Sequence, residues 1–135
     1  MTFLLDTNVV SELTKQRPNP NVARWIRSAH SNDLFLSVIT LAEIRKGIEL
    51  KRATKAQDAA RFETWLQTLA LHYRSRILTL DEEAADRWGR IMAAYPRVPV
   101  EDGQIAAIAL RHAMTLVTRN LRHVASTGVV CLDPF

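Results

Sequence analysis

Short apolar runs, three to six residues long, alternate along this chain with segments whose apolar positions recur every three or four residues. A run that short reads as a buried strand, and the longer spacing marks a helix with one apolar face. Phe3–Leu5, Leu34–Ile39, Ile77–Leu80, Thr115–Thr118 and Val129–Leu132 are the expected strands. The clearest helix covers 55–73, where Ala59, Phe62, Trp65, Leu66, Leu69 and Tyr73 share a stripe. Further helices are expected after a cap at Asp6, from a cap at Asn21 through Ala29, from Thr40 through Ile48, from Asp81 to the stop at Pro96, and from Asp102 through His112. The order β, α, α, β, α, α, β, α, α, β, β predicts an α/β sandwich. Its central sheet is mostly parallel, has four to five strands and is flanked by helices.

At 135 residues the chain fits one domain, 1–135. Its single cysteine, Cys131, excludes an internal disulfide and a cysteine-based zinc site, and fits a reducing, cytoplasmic setting. The opening MTFLLDTNVV lacks a basic leader and does not read as a signal peptide, and no apolar run reaches the ~20 residues that cross a bilayer. No GxGxxG or Walker A loop is present, the histidines lack metal-ligand spacing, and no serine lies in a nucleophile-elbow pattern. The three tryptophans, Trp25, Trp65 and Trp88, fall on helical stripes and read as core or interface. A net charge of +4 permits contact with phosphate backbones. Basic residues cluster at Arg45, Lys46, Lys51, Arg52 and Lys55, and again at Arg119 and Arg122; on charge alone a solvated face explains them.

In open α/β sheets ligands bind beyond the carboxyl ends of the strands. The residues there are Asp6, Thr7 and Asn8 after the first strand, then Ser37, Thr40 and Glu43 after the second. Thr118, Arg119 and Asn120 follow the fourth, and the helix opening at Glu101 and Asp102 can face the same edge. Acids brought together in this way repel one another and call for a counter-charge. A hard divalent ion such as Mg²⁺ supplies it, lowers the pKa of a water and neutralises charge on a phosphoryl oxygen. Each acid also fits a plainer role: Asp6 and Asp102 as N-caps, and Glu43 closing a capping box with Thr40.

The blocks LLDTNVVSEL at 4–13, LSVITLAEIRKGIE at 36–49, DGQIAAIAL at 102–110 and LVTRN at 116–120, with the ending LDPF, resemble the PIN-domain family. The likeness is to its VapC-type ribonuclease toxins of type II toxin–antitoxin pairs, including the FitB-like branch. It implies a PIN-like three-layer sandwich and an acidic pocket for Mg²⁺ or Mn²⁺. It also implies hydrolysis of RNA by a metal-activated water, a homodimer, and a cognate antitoxin whose C-terminal segment blocks the pocket. The family's acids map onto Asp6, Glu43 and Asp102, with Thr7 and Asn8 as the polar pair beside the first. Many members carry a fourth acid where this chain has Asn120, or a few residues on, where it has His123-Val124. One ion held by Asp6 and Asp102 is therefore expected, with Glu43 acting through water or as proton acceptor. Asn120 would orient a water, and Arg45, Lys46, Arg119 and Arg122 would hold the RNA backbone. The alternative implied by the FitB-like branch is a weakly active or silent partner in a DNA-bound complex with its antitoxin. The 55–73 helix and the one before it carry extra apolar residues, which are expected to serve the dimer or the antitoxin groove.

Overall fold

The computed structural model describes residues 1–135. Five strands, β1 (Phe3–Leu5), β2 (Leu34–Ser37), β3 (Ile77–Leu78), β4 (Thr115–Val117) and β5 (Cys131–Leu132), form one sheet in the order β3-β2-β1-β4-β5. Every pairing is parallel. Seven α-helices accompany them: α1 (Thr7–Glu12), α2 (Pro20–Ser28), α3 (Val38–Arg52), α4 (Ala56–His72), α5 (Glu82–Ala94), α6 (Val100–Arg111) and α7 (Leu121–Val124). No helix is long and apolar enough to cross a membrane.

Neighbouring residues of a strand face opposite sides, so the apolar run in β1 serves two cores. Leu4 packs with Ile105, Ile108 and Leu116 beneath α5 and α6. Leu5 packs with Val9, Val22, Leu36, Ile48, Leu66 and Val117 beneath α1 to α4. Helices on both faces of one sheet give the expected three layers. The chain winds outward from β1 through β2 to β3, then returns to place β4 on the other side of β1. That reversal makes the carboxyl ends of β1 and β4 the edge at which sheets of this kind bind ligands.

Local chemistry moves several boundaries. Asn19, not Asn21, caps α2: its Oδ1 accepts from the amides of Asn21 (2.8 Å) and Val22 (3.4 Å). Pro20 then occupies the first turn, where its missing N–H costs nothing. β2 ends at Ser37, whose Oγ accepts from the Thr40 amide (3.2 Å), so Val38 and Ile39 are helical and Thr40 is not the cap. α6 starts at Val100 behind Pro99, which places Asp102 inside the first turn and not at the cap. Asp81 does cap α5, accepting from Ala84 N (2.9 Å), and this turns Thr79 and Leu80 out of β3.

The α4 stripe faces inward more than its composition suggests. Ala59 and Leu66 are buried, and Phe62, Trp65 and Leu69 pack on the same core. The large apolar side chains left exposed along α3 and α4 are Leu50 and Leu71.

α5 and α6 touch closely at Gly103. A Cβ there would lie 2.9 Å from Met92 Sδ and 3.4 Å from Trp88 Cδ1. Gly103→Val overfills this contact and should lower stability by about 1–3 kcal/mol. Urea unfolding should show a lower midpoint at unchanged slope.

Candidate active site

At the carboxyl ends of β1 and β4 the residues that immediately follow each strand meet. Asp6 caps α1 through Oδ1, which accepts from Thr7 N (2.7 Å). Its Oδ2 accepts from Thr118 Oγ1 (2.6 Å) and Asn8 Nδ2 (3.2 Å). Thr118 is fully buried and Asp6 is 6% exposed. The same Thr118 oxygen accepts from the Asn120 amide (3.0 Å), while Asn8 Oδ1 accepts from the Arg119 amide (3.3 Å). Asn8 and Thr118 thus lace the turn after β4 to the turn after β1.

Glu43 enters from α3. The capping-box reading of this residue does not hold, because Ser37 already satisfies the Thr40 amide. Glu43 Oε1 instead accepts from Thr7 Oγ1 (2.7 Å), which also lies 3.0 Å from the buried Thr40 hydroxyl. Asp102 enters from α6, and its Oδ2 lies 2.7 Å from His123 Nδ1 on α7. Four elements therefore direct Asp6, Glu43, Asp102 and His123 to one edge of the sheet.

The carboxylates share a field. Burial pushes the Asp6 carboxyl above the ordinary aspartate range and the charge of Asp102 adds to this, against the opposing hydrogen bonds from Thr118 and Thr7. Burial also pushes Glu43 up, helped by the charges of Asp6, Glu101 and Asp102. Glu101, exposed in the first turn of α6, is an acid that sequence reasoning placed at this junction without giving it a role. No three His, Cys, Asp or Glu side chains close into a ready cage around one point. A hard ion of the Mg²⁺ type does not need one, since it takes one or two carboxylates and keeps several waters. The three carboxylates offer oxygen, which suits Mg²⁺ or Mn²⁺, while the nearby His123 imidazole is paired with Asp102.

The basic residues divide. Arg45 turns away from the acids: its guanidinium forks onto Glu63 of α4 (2.7 and 2.6 Å) and reaches Glu49 (3.0 Å). It clamps α3 to α4 and drops out of the expected RNA-holding set. Lys46 is exposed on α3. Arg119 stacks over Phe135, 4.6 Å from the ring centre. Arg122 projects from α7 into a groove shared with His123. A second groove, of about 310 Å³, runs from Thr7 and Glu43 between α1, α3 and α4. Ile44, Ile48, Phe62 and Trp65 line it, with Lys15 and Lys51 beside them.

A PIN domain model matches residues 3–127 of the sequence. The chain belongs to the PIN-domain family. This PIN domain is 35% identical to the plasmid stability protein StbB of Pseudomonas syringae pv. tomato, with 98% of each chain covered. It is 34% identical to the toxin FitB of Neisseria gonorrhoeae, again over 98% of each. The VapC ribonuclease Y4jK of Sinorhizobium fredii is 34% identical over 98% of this chain and 97% of its own. Among solved structures, FitAcB from Neisseria gonorrhoeae superposes with a TM-score of 0.89 at 32% identity, covering 98% of both chains. FitAB bound to an IR36 DNA fragment gives 0.84 at 34% identity, covering 98% of this chain and 95% of that one.

Thr118 and His123 complete the site without having been assigned roles from sequence. Thr118 was visible as the residue after β4. His123 stood out only as the residue at the position of the family's later acid; its pairing with Asp102 depends on how α7 lies against α6.

Proposed function

We propose that this PIN domain is the ribonuclease toxin of a toxin–antitoxin pair, acting in the cytoplasm and hydrolysing RNA phosphodiester bonds with Mg²⁺ or Mn²⁺ held at Asp6 and Asp102. One observation carries the reading. The nearly buried Asp6 carboxylate faces two further acids, and only hydroxyl and amide donors surround it. The names of the VapC and FitB relatives point the same way. When bound, the ion would lower the pKa of a water and neutralise charge growing on the phosphoryl oxygens. Thr7 fixes Glu43 by Oε1, leaving Oε2 to accept a proton from the attacking water. The raised proton affinity of Glu43 suits that role. Thr118 and Asn8 hold the Asp6 carboxylate in place, Thr7, Asn8 and Asn120 position water or phosphate, and Lys46, Arg119 and Arg122 hold the RNA backbone. The antitoxin's C-terminal segment would lie in the groove between α1, α3 and α4, whose mouth is Thr7 and Glu43. The toxin itself would act as a homodimer.

Purified free of any antitoxin, the chain should cleave RNA in Mg²⁺ or Mn²⁺, and excess EDTA should reduce the rate by about 10³-fold or more, the scale of several kcal/mol of lost charge stabilisation. Cleavage undiminished by EDTA would refute the metal requirement. A second reading, a weakly active partner in a DNA-bound complex with the antitoxin, is favoured by Asn120 standing where many members of the family carry an acid and by the DNA-bound FitAB neighbour. Calorimetric titration separates the two: no heat of Mn²⁺ binding near millimolar concentration supports the silent partner.

A further inference from the structure

We infer that the groove between the α5–α6 loop and α7 is a subsite for single-stranded RNA, in which Tyr95 stacks on a base and Arg97 and Arg122 hold the adjoining phosphates. The inference deepens the ribonuclease reading and rests on it for the choice of RNA.

The groove follows from how two short segments are anchored. α5 ends at Ala94 with Tyr95 as its C-cap, Pro96 forbids its continuation, and Val98 N returns to Tyr95 O (3.1 Å) in a tight turn. Val98 is buried and pins the turn, so Tyr95 and Arg97 on either side of Pro96 remain exposed. On the facing wall, buried Val124 pins α7 and leaves Arg122, His123 and Ser126 exposed. These residues enclose an open groove of about 730 Å³. That lies within the 300–1,000 Å³ range of ordinary small-ligand sites.

Arg97 and Arg122, like several other surface arginines, pair with no carboxylate and are free to meet an anion. Two further features distinguish this groove from an ordinary solvated surface. Tyr95 is 38% exposed beside them, and an aromatic face among free cations is the combination that binds single strands with little base preference. His123 both lines the groove and contacts Asp102 at 2.7 Å, so the groove begins where the acid cluster ends. A strand with its scissile phosphate at Asp6 and Asp102 would continue directly into it.

The test is fluorescence anisotropy with a short fluorescein-labelled single-stranded RNA in EDTA, read as affinity against salt concentration. Tyr95→Ala should weaken binding by about 5- to 150-fold, and Tyr95→Phe should restore most of it. Arg97→Ala with Arg122→Ala should reduce the slope of log affinity against log salt by about 1.4, or about 0.7 for each phosphate no longer neutralised. All three side chains are exposed, and unchanged circular-dichroism melts would show that the variants fold. Unchanged affinity and salt slope would overturn the subsite, as would failure of the unmodified chain to bind RNA. A fall in oligomeric state on Tyr95→Ala would also overturn it, because the groove would then be a protein interface. If groove-dependent binding occurs but cleavage does not, the subsite stands and the nuclease reading falls. If cleavage occurs with binding indifferent to Tyr95, Arg97 and Arg122, the reverse holds.

Discussion

Asp6→Asn should abolish RNA cleavage and at the same time raise the melting temperature of the metal-free protein. The two effects have one cause. Asp6 is 6% exposed, and burial together with the charge of Asp102 holds its carboxyl above the ordinary aspartate range. A raised folded-state value means that the ionised form is disfavoured by folding. At neutral pH ionisation therefore favours the unfolded chain more than the folded one. A neutral amide removes the penalty. Asparagine caps a helix as well as aspartate, so the bond from Thr7 N survives, and the Thr118 hydroxyl can rotate to accept from the new NH₂ group, with only the longer bond from Asn8 Nδ2 (3.2 Å) given up. A gain of about 1–2 kcal/mol is expected, a few degrees of melting temperature in a chain of this size. Cleavage should fall by about 10³-fold or more, since the ion loses a charged ligand. Mg²⁺ at about one hundred times its Kd should stabilise the unmodified protein by about 2.7 kcal/mol and the variant far less. Retained cleavage, or a lower melting temperature in EDTA, would show that Asp6 is a structural cap and nothing more.

That outcome bears on what the sequence could reveal. The alternation of strand and helix carried the layers and the parallel sheet, because burial on both faces leaves a plain apolar signature such as Phe3-Leu4-Leu5. Capping does not exclude the catalytic role proposed for Asp6: the carboxylate caps α1 with one oxygen and turns the other to Thr118 and Asn8. Glu43 and Asp102 differ from it, since Ser37 takes the cap of α3 and α6 begins before Asp102. Those boundaries turn on single hydroxyls and prolines, which periodicity does not register. Arg45 departs from expectation for a related reason. Its charge is visible in sequence, but Glu63, eighteen residues away on the facing helix, decides where that charge goes. The His123–Asp102 contact is likewise tertiary, twenty-one residues apart and invisible to any local pattern.

Thr118→Val should give the opposite stability sign from Asp6→Asn, although both residues belong to one hydrogen bond. Valine matches the shape of threonine and keeps the Thr118 backbone bond to Leu132 O (2.9 Å). It removes a hydroxyl that donates to Asp6 Oδ2 at 2.6 Å and accepts from the Asn120 amide at 3.0 Å. A buried carboxylate deprived of a donor keeps its full desolvation cost, so a loss of about 2–3 kcal/mol is expected in urea unfolding. Cleavage should fall by about 10–100-fold, the usual effect of removing a group that orients a metal ligand. The loss should lie in the Mg²⁺ concentration needed for half activity, with the rate at saturating ion largely kept, and Thr118→Ser should restore both. A stability change from poorer packing alone would leave that concentration unmoved. The double variant separates the remaining possibilities. If Thr118 serves chiefly to solvate the buried charge of Asp6, then with Asn at position 6 the hydroxyl has little left to stabilise. The two changes should then fall short of additivity by about 1 kcal/mol or more, on the scale of coupling found between directly bonded groups. Full additivity would mean that Thr118 acts through the Asn120 turn and not through the acid.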